Sequence, residues 1–328
     1  MSDAANVARP EVADDDSRSG GEADSLDNAA ALASRVLAHH FGDDASRLVH
    51  ETSGQSNYVF TAEHDRGTFV LRLSPEGDRL RAYQKEQWAV ERVREAGVPT
   101  PEILEVGVID IPWPYMLMRK VGGQEATTHA RRLEILTALG ENAARINAIP
   151  TAGFGDVFDW ASPEEPRNES WRDFLTRELQ LDRQLDILLE HEMLSADQLG
   201  QVRETLEALG DLPRDGRLNH GDLRLKNVMV GDEGAIVAIL DWEKCVSGLA
   251  PEWELSLALH DLSVDEKDAF TRGYGLSIEE LERRAPAMKA LNVINYAPFI
   301  ERAAAAGDQE QMARYRLRLG GALDLYSF

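Results

Sequence analysis

Apolar positions along the chain fall into two regimes. Up to about residue 122, short runs alternate in the manner of strands; beyond it, apolar residues recur mostly at helical spacing. The strand-like runs are Leu48–Thr52, Tyr58–Ala62, Thr68–Leu73, Glu102–Val108 and Tyr115–Arg119. Two helices belong to the same stretch. One opens at Ser25 or Asp27, buries Leu32, Val36, Leu37 and Phe41, and stops at Gly42. The other runs from Asp78 to Ala96 with Gly97 as its stop. Lys120 to Gly123 reads as a flexible hinge. Helices are then predicted over Arg131–Ala148, Ser170–His191, Ala196–Leu209 and Pro251–His260. Leu133, Leu136, Leu139, Ala143 and Ile146 form the buried stripe of the first, and Leu181, Leu185, Leu188 and Leu189 that of the second. From Val264 to Phe328 the pattern is again helical, punctuated by Gly275, Pro286 and Gly307.

Composition sets the limits of this plan. Residues 1–24 are rich in Asp, Ala, Ser and Gly and hold few large apolar groups, which predicts a disordered acidic tail. Residues 25–122 then form a smaller unit and residues 123–328 a larger, helical one. Of the formal charge of −23, the first 27 residues carry −6, from eight acids against two arginines. The acidity is therefore spread over the whole chain. Lysine occurs only at positions 85, 120, 226, 244, 267 and 289. Abundant Asp and Glu with scarce Lys is similar to proteins of salt-loving organisms, a reading that fits a spread-out charge better than attraction of a cationic substrate does. Nucleic acid is an unfavourable partner for such a surface. No apolar run is long enough to span a bilayer, so no membrane partner is expected. The N-terminus lacks the features of a signal peptide, and Cys245 is the single cysteine, so a cytoplasmic location is expected. The histidines show no zinc-binding spacing.

Candidate chemistry concentrates between Asn219 and Glu243. Asp222 follows His220-Gly221, Asn227 comes five positions later, and Asp241 ends an apolar run after a Gly-Asp-Glu-Gly turn. A carboxylate, an amide and a second carboxylate on a loop and hairpin suit phosphoryl transfer. One carboxylate serves the attacking hydroxyl, and the other two groups hold Mg²⁺ against phosphates. Upstream, Ser53-Gly54-Gln55-Ser56-Asn57 is a small-residue loop between two strands, whose backbone N–H groups can approach phosphate. No Ser/His/Asp or Cys/His set points to hydrolase chemistry.

These residues resemble the aminoglycoside phosphotransferase family. His220-Gly221-Asp222 with Asn227, then Ile239-Leu240-Asp241-Trp242-Glu243, carry the likeness. The Gly153-Phe154-Gly155 and Trp171-Arg172-Asp173-Phe174 segments are similar to the hygromycin-acting branch of that family. The resemblance implies an α+β, protein-kinase-like bilobal fold, with a small antiparallel-sheet lobe for the nucleotide and a mostly helical lobe for catalysis and acceptor. It implies ATP as phosphate donor and Mg²⁺ at Asn227 and Asp241. Asp222 would accept the substrate's hydroxyl proton or orient that hydroxyl. Ser53, Gly54, Gln55, Ser56 and Asn57 would cover the phosphates. Arg72 would bind phosphate with Glu86 as its ion-pair partner, and backbone groups from Arg119 to Val121 would meet the adenine edge. His220 is expected to be structural. Relatives usually carry His-Pro-Gly where this chain has Arg224, Leu225 and Lys226. Arg224 is expected to touch phosphate, and Lys226 to be structural.

The acceptor is expected to be a small-molecule hydroxyl rather than a protein. Only nine residues separate Asp241 from Pro251, too few for a peptide-binding activation segment. Glu243, Glu252 and Glu254 could face an amino-sugar. Two alternatives stand beside this reading: a kinase of an endogenous sugar or amino-alcohol metabolite, and a non-catalytic nucleotide-binding protein.

Overall fold

The computed structural model describes residues 16–42, 47–51, 57–108, 111–210 and 215–322. Its residues group into two compact units, one of residues up to Leu80 with Leu104–Lys120, the other of Arg81–Ile103 with Val121 onward.

The first unit holds helix α1 (Asp16–Phe41) and strands β1 (Arg47–Glu51), β2 (Tyr58–His64), β3 (Gly67–Leu73), β4 (Ile103–Gly107) and β5 (Tyr115–Arg119). They form one sheet in the order β1-β2-β3-β5-β4. The β1–β2, β2–β3 and β3–β5 pairings are antiparallel. Strand alternation sends Phe69, Leu71 and Leu73 into the core and leaves Val70 and Arg72 half-buried on the other face. Helix α1 covers the core side with Ala29, Leu32, Ala33, Val36 and Leu37, spaced as one helical stripe. It ends at Gly42, whose φ of 84° and N–H bond to Ala38 O form a left-handed cap. The helix begins at Asp16, so residues 16–24 are helical rather than part of a disordered tail. Once the buried stripe anchors a helix, each added residue gains a backbone hydrogen bond at little cost. Residues 1–15 lie outside the described residues.

The second unit starts with α2 (Arg79–Glu95), followed later by β6 (Gln124–Glu125), α3 (Arg132–Asn147) and β7 (Pro150–Thr151). From Arg81 onward, α2 packs here: Ala89, Val90 and Val93, with Val98, share a core with α3 and the residues around Trp242. Further along come α4 (Trp171–Asp173), α5 (Leu181–Glu190), α6 (Ala196–Leu209), β8 (Gly216–Asn219), β9 (Val228–Val230), β10 (Ile236–Ile239) and β11 (Val246–Gly248). Helices α7 (Glu252–Ala258), α8 (Val264–Tyr274), α9 (Ile278–Asn295), α10 (Ala297–Ala305) and α11 (Gln309–Ala322) complete the unit. Two small sheets have the orders β10-β9-β6 and β11-β8-β7.

Three expectations change here. The helix expected over Ser170–His191 is broken: α4 passes into a π-helical turn at Phe174–Glu178, and Gln180 (φ 52°) takes a left-handed conformation before α5. Pro286 does not punctuate the C-terminal region but lies inside α9. It is exposed, so the carbonyl four residues earlier can turn to water in place of the missing N–H. Leu133 and Leu189 are exposed, whereas the other residues of their stripes are mostly buried. Among the described residues, no helix is long and apolar enough to cross a membrane.

Candidate functional site

Strand pairing gathers the key residues. β8 leads into the loop that begins at His220, and β9 leaves it after Asn227. β10 ends at Ile239, two residues before Asp241, and β11 returns to pair with β8, with Val246 opposite Asn219. The Leu240 N–H donates to Asn227 O at 2.8 Å, which ties the Asp241 end of β10 to the loop. His220 and Leu240, 20 positions apart, thus become neighbours through a hairpin and one antiparallel pair.

His220 sets the loop's conformation. It is fully buried, with its ring 4.4 Å from that of Trp242. Nδ1 accepts the Asp222 N–H at 3.2 Å, so the network assigns the ring proton to Nε2, which donates to Leu240 O at 3.0 Å. Burial holds its pKa down at about 4. It is therefore neutral near pH 7 and structural. Gly221 (φ 77°) lies so close to Lys244 O that a Cβ would sit 2.2 Å from it.

Asp222 is 5% exposed. Arg224 Nε bonds its Oδ1, and Lys226 and Lys244 lie 3.3 and 3.4 Å from its Oδ2. Burial pushes the carboxyl pKa up, but the Arg224 hydrogen bond and the three cations outweigh it and hold the value at about 2. Asp222 is thus ionised throughout the neutral range. The same contact raises the pKa of Arg224 against the effect of its burial, with Asp261 at 4.0 Å adding to it.

Asn227 is buried, and its Nδ2 donates to Asp222 O at 2.8 Å. That bond fixes the carboxamide and leaves Oδ1 as the corner a metal would take. Asp241 has φ 64° and ψ 60°, a left-handed conformation that is strained for a non-glycine residue. Two hard oxygen donors suit Mg²⁺, which typically binds one or two protein groups together with phosphates and water.

Other expected residues fall elsewhere. Arg72 is half-buried on β3, and Glu86 is 3% exposed on α2. Arg119 uses Nη1 to bond Arg66 O at 3.2 Å and lies over the Phe69 ring. One of the three places where the chain passes between the units falls between Lys120 and Val121, inside the segment read as a hinge. Asn57 precedes β2, while Ser53, Gly54, Gln55 and Ser56 lie outside the described residues.

One expectation about acids is overturned. Glu252 and Glu254 are 1% and 0% exposed and cannot face an acceptor. Glu252 pairs with Arg284, while Glu254 Oε2 accepts the His220 N–H. Burial, only partly offset by backbone N–H groups of His220 and Gly221, raises the Glu254 pKa to about 7. Glu254 is thus a support of the loop that motif reasoning missed. Its only sequence signal was an acid between the apolar Trp253 and Leu255. Lys244, on the far side of the hairpin, carried no local signal at all.

Comparisons with known proteins bear on the family and the fold. A model of the phosphotransferase enzyme family matches residues 51–287. Hygromycin-B 4-O-kinase of Escherichia coli is 23% identical over 210 residues, which is 63% of this chain and 60% of that protein. The matched part thus spans about 60% of that relative's length, under two thirds. The crystal structure of aminoglycoside phosphotransferase APH(4)-Ia superposes with a TM-score of 0.66 at 20% identity, covering 91% of this chain and 99% of that one. A putative fructosamine-3-kinase from Haemophilus somnus 129PT superposes with a TM-score of 0.60 at 17% identity, covering 88% and 96%. These likenesses show a protein-kinase-like α+β fold, with an antiparallel sheet followed by a helical region.

Proposed function

Because the chain belongs to the phosphotransferase enzyme family, we propose that it transfers the γ-phosphate of ATP to a hydroxyl of a small molecule. The observation that carries this reading is the convergence of Asp222, Asn227 and Asp241 through the β8–β11 and β9–β10 pairings. An APH(4)-Ia structure with an ATP analogue and hygromycin B gives the donor and acceptor chemistry by analogy.

The residues divide the work as follows. Asp222, with a pKa near 2, is too weak a base to remove a hydroxyl proton early. It orients the acceptor hydroxyl for in-line attack and takes the proton late, as suits a loose transition state. Asn227 and Asp241 hold Mg²⁺, which when bound neutralises charge on the phosphates. Arg224 can swing from Asp222 to a phosphate oxygen, with Asp261 close to its other end. Catalysis rests on positioning and electrostatics, without a covalent enzyme intermediate. The nine residues between Asp241 and Pro251 leave no room for a peptide platform, so no protein substrate is expected.

A specific observation favours an endogenous metabolite over a polycationic antibiotic. Three cations crowd Asp222, and two of the acids offered for an amino-sugar are buried. A sugar or simple amino alcohol meets less repulsion there than a molecule with several ammonium groups. Screening sugars, amino alcohols and aminoglycosides for Mg·ATP-dependent ADP release separates the readings. Turnover is expected with a small neutral or singly charged alcohol; turnover only with aminoglycosides would reverse the preference.

A further inference from the structure

Two sequence motifs outside the catalytic loop, Gly153-Phe154-Gly155-Asp156 and Trp171-Arg172-Asp173-Phe174, are joined by Glu178. Glu178 Oε1 accepts the Asp156 N–H at 2.8 Å, and Oε2 accepts Asn168 Nδ2 at 2.8 Å. Asn168 also donates from Nδ2 to Phe154 O at 3.0 Å. The π-helical turn that ends at Glu178 places this carboxylate against the first motif. Gly155 (φ 94°) makes room, since a Cβ there would lie 2.1 Å from Glu178 Oε2.

The turn is held on two further sides. Gly155 N–H donates to Ser247 O at 2.8 Å and Ser247 N–H to Gly155 O at 3.0 Å, which stitches it to β11, shortly after Asp241 in the chain. On its other side it binds α2. The Lys85 ammonium pairs with Asp156 Oδ1, and Lys85 is 6% exposed. One turn earlier, Arg81 makes a two-pronged bond to Glu165 and lies 5.0 Å from the Trp160 ring centre. Trp160 Nε1 in turn donates to Asp156 O at 2.7 Å. Trp88 meets Phe158 edge-on at 5.3 Å. Arg81, Lys85 and Trp88 form one face of α2 by their i, i+4, i+7 spacing. Glu86 directly follows Lys85, and Lys85, Glu86 and Asp156 all lie close enough to act electrostatically on the buried Cys245 thiol.

We propose that Lys85 and Asp156 are positioning residues. Through the Gly-Phe-Gly turn they lock α2 to the strand that follows the Asp241 segment, and so fix Glu86 relative to Asp241 for nucleotide binding. The proposal rests on the reading above that Glu86 and Asp241 serve the nucleotide and its metal. A simple fold contact would leave the two substrates equally affected; a positioning contact acts on the nucleotide alone.

Cys245 provides a test that needs no turnover, because it is the only cysteine and is fully buried. Its reaction with an excess of an aromatic disulfide reagent under native conditions reports local opening. In Asp156→Asn and Lys85→Met the thiol is expected to react about tenfold faster than in the wild type, and Mg·ATP to protect it less. In the same variants the KM for Mg·ATP is expected to rise about tenfold while the acceptor KM stays within about twofold. Asp156→Glu, which keeps the charge, restores both readouts, and it carries the test if Asp156→Asn does not fold. Wild-type thiol kinetics in folded Asp156→Asn, an equal rise in both KM values, or failure of the Asp156→Glu rescue overturns the proposal. Faster thiol reaction with no phosphotransfer to any acceptor would fault the phosphotransfer reading and leave the lock standing.

Discussion

At the residue scale, the loop is governed by two buried groups whose titrations oppose each other. Glu254 has its pKa raised to about 7, so the folded state holds its proton more tightly than the unfolded chain does. Its contribution is full below the unfolded value of 4.5 and is lost as pH rises through 7. His220 is depressed to about 4, so its contribution is full above the unfolded value of 6.5 and is lost as pH falls through 4. Over the shared window the two slopes offset. Glu254→Gln removes one of them. Urea unfolding at a series of pH values should therefore show the variant gaining stability relative to the wild type as pH rises from about 4.5 to about 7. Parallel curves for the two proteins would contradict this. Arg224 gives a second residue-level expectation. Its hydrogen bond is the strongest influence lowering the Asp222 pKa, so Arg224→Met should move the acid limb of the kcat/KM profile to higher pH. It should also lower kcat by about ten- to a hundredfold through loss of phosphate contact. An unmoved acid limb would show that Asp222 ionisation does not control the reaction.

At the element scale, legibility followed how local the cause was. β5 at Tyr115–Arg119 and α6 at Ala196–Leu209 have the bounds expected from alternation and periodicity, and Ser195 with Gln198 closes a capping box on α6. The π-helical turn was not legible, because Glu178 is held by Asp156 and Asn168, partners distant in the chain. The two- to four-residue strands β6 to β11 are too short to show a period. Yet they are the elements that bring Asp222, Asn227 and Asp241 together. The site was readable there only through motif spacing; Glu254 stood out as an acid without its supporting role, and Lys244 was not readable at all. Pro286 offers a test at this scale. Because it is exposed inside α9, Pro286→Ala restores a backbone N–H without disturbing the core. Chemical denaturation should show a gain of about 1 kcal/mol, less than the full helix-interior penalty because the native helix has already accommodated the ring. A loss of stability would mean that the ring packs usefully where it stands.

At the scale of the whole molecule, the charge of −23 acts across the entire surface, with 58 acids against 35 Lys and Arg. Salt screens this self-repulsion over a Debye length of about 10 Å at 0.1 M and about 3 Å at 1 M. The melting temperature should therefore fall as salt is lowered from molar to millimolar concentration. A flat profile would remove the salt-adapted reading of the composition. The same acidity makes the cluster of Arg224, Lys226 and Lys244 around Asp222 informative. Two of the chain's six lysines stand at one carboxylate, where a phosphate would be handled. The central claim is that this carboxylate directs transfer of phosphate to a small alcohol. Its most direct test is incorporation of label from γ-³²P ATP with Mg²⁺ into low-molecular-weight product, using an acceptor pool of small alcohols and a general protein substrate in parallel. Label is expected in the small-molecule fraction, and Asp222→Ala is expected to reduce it by about a thousandfold with the circular dichroism unchanged. Equal labelling by the wild type and Asp222→Ala, or label in the protein fraction alone, would contradict the account.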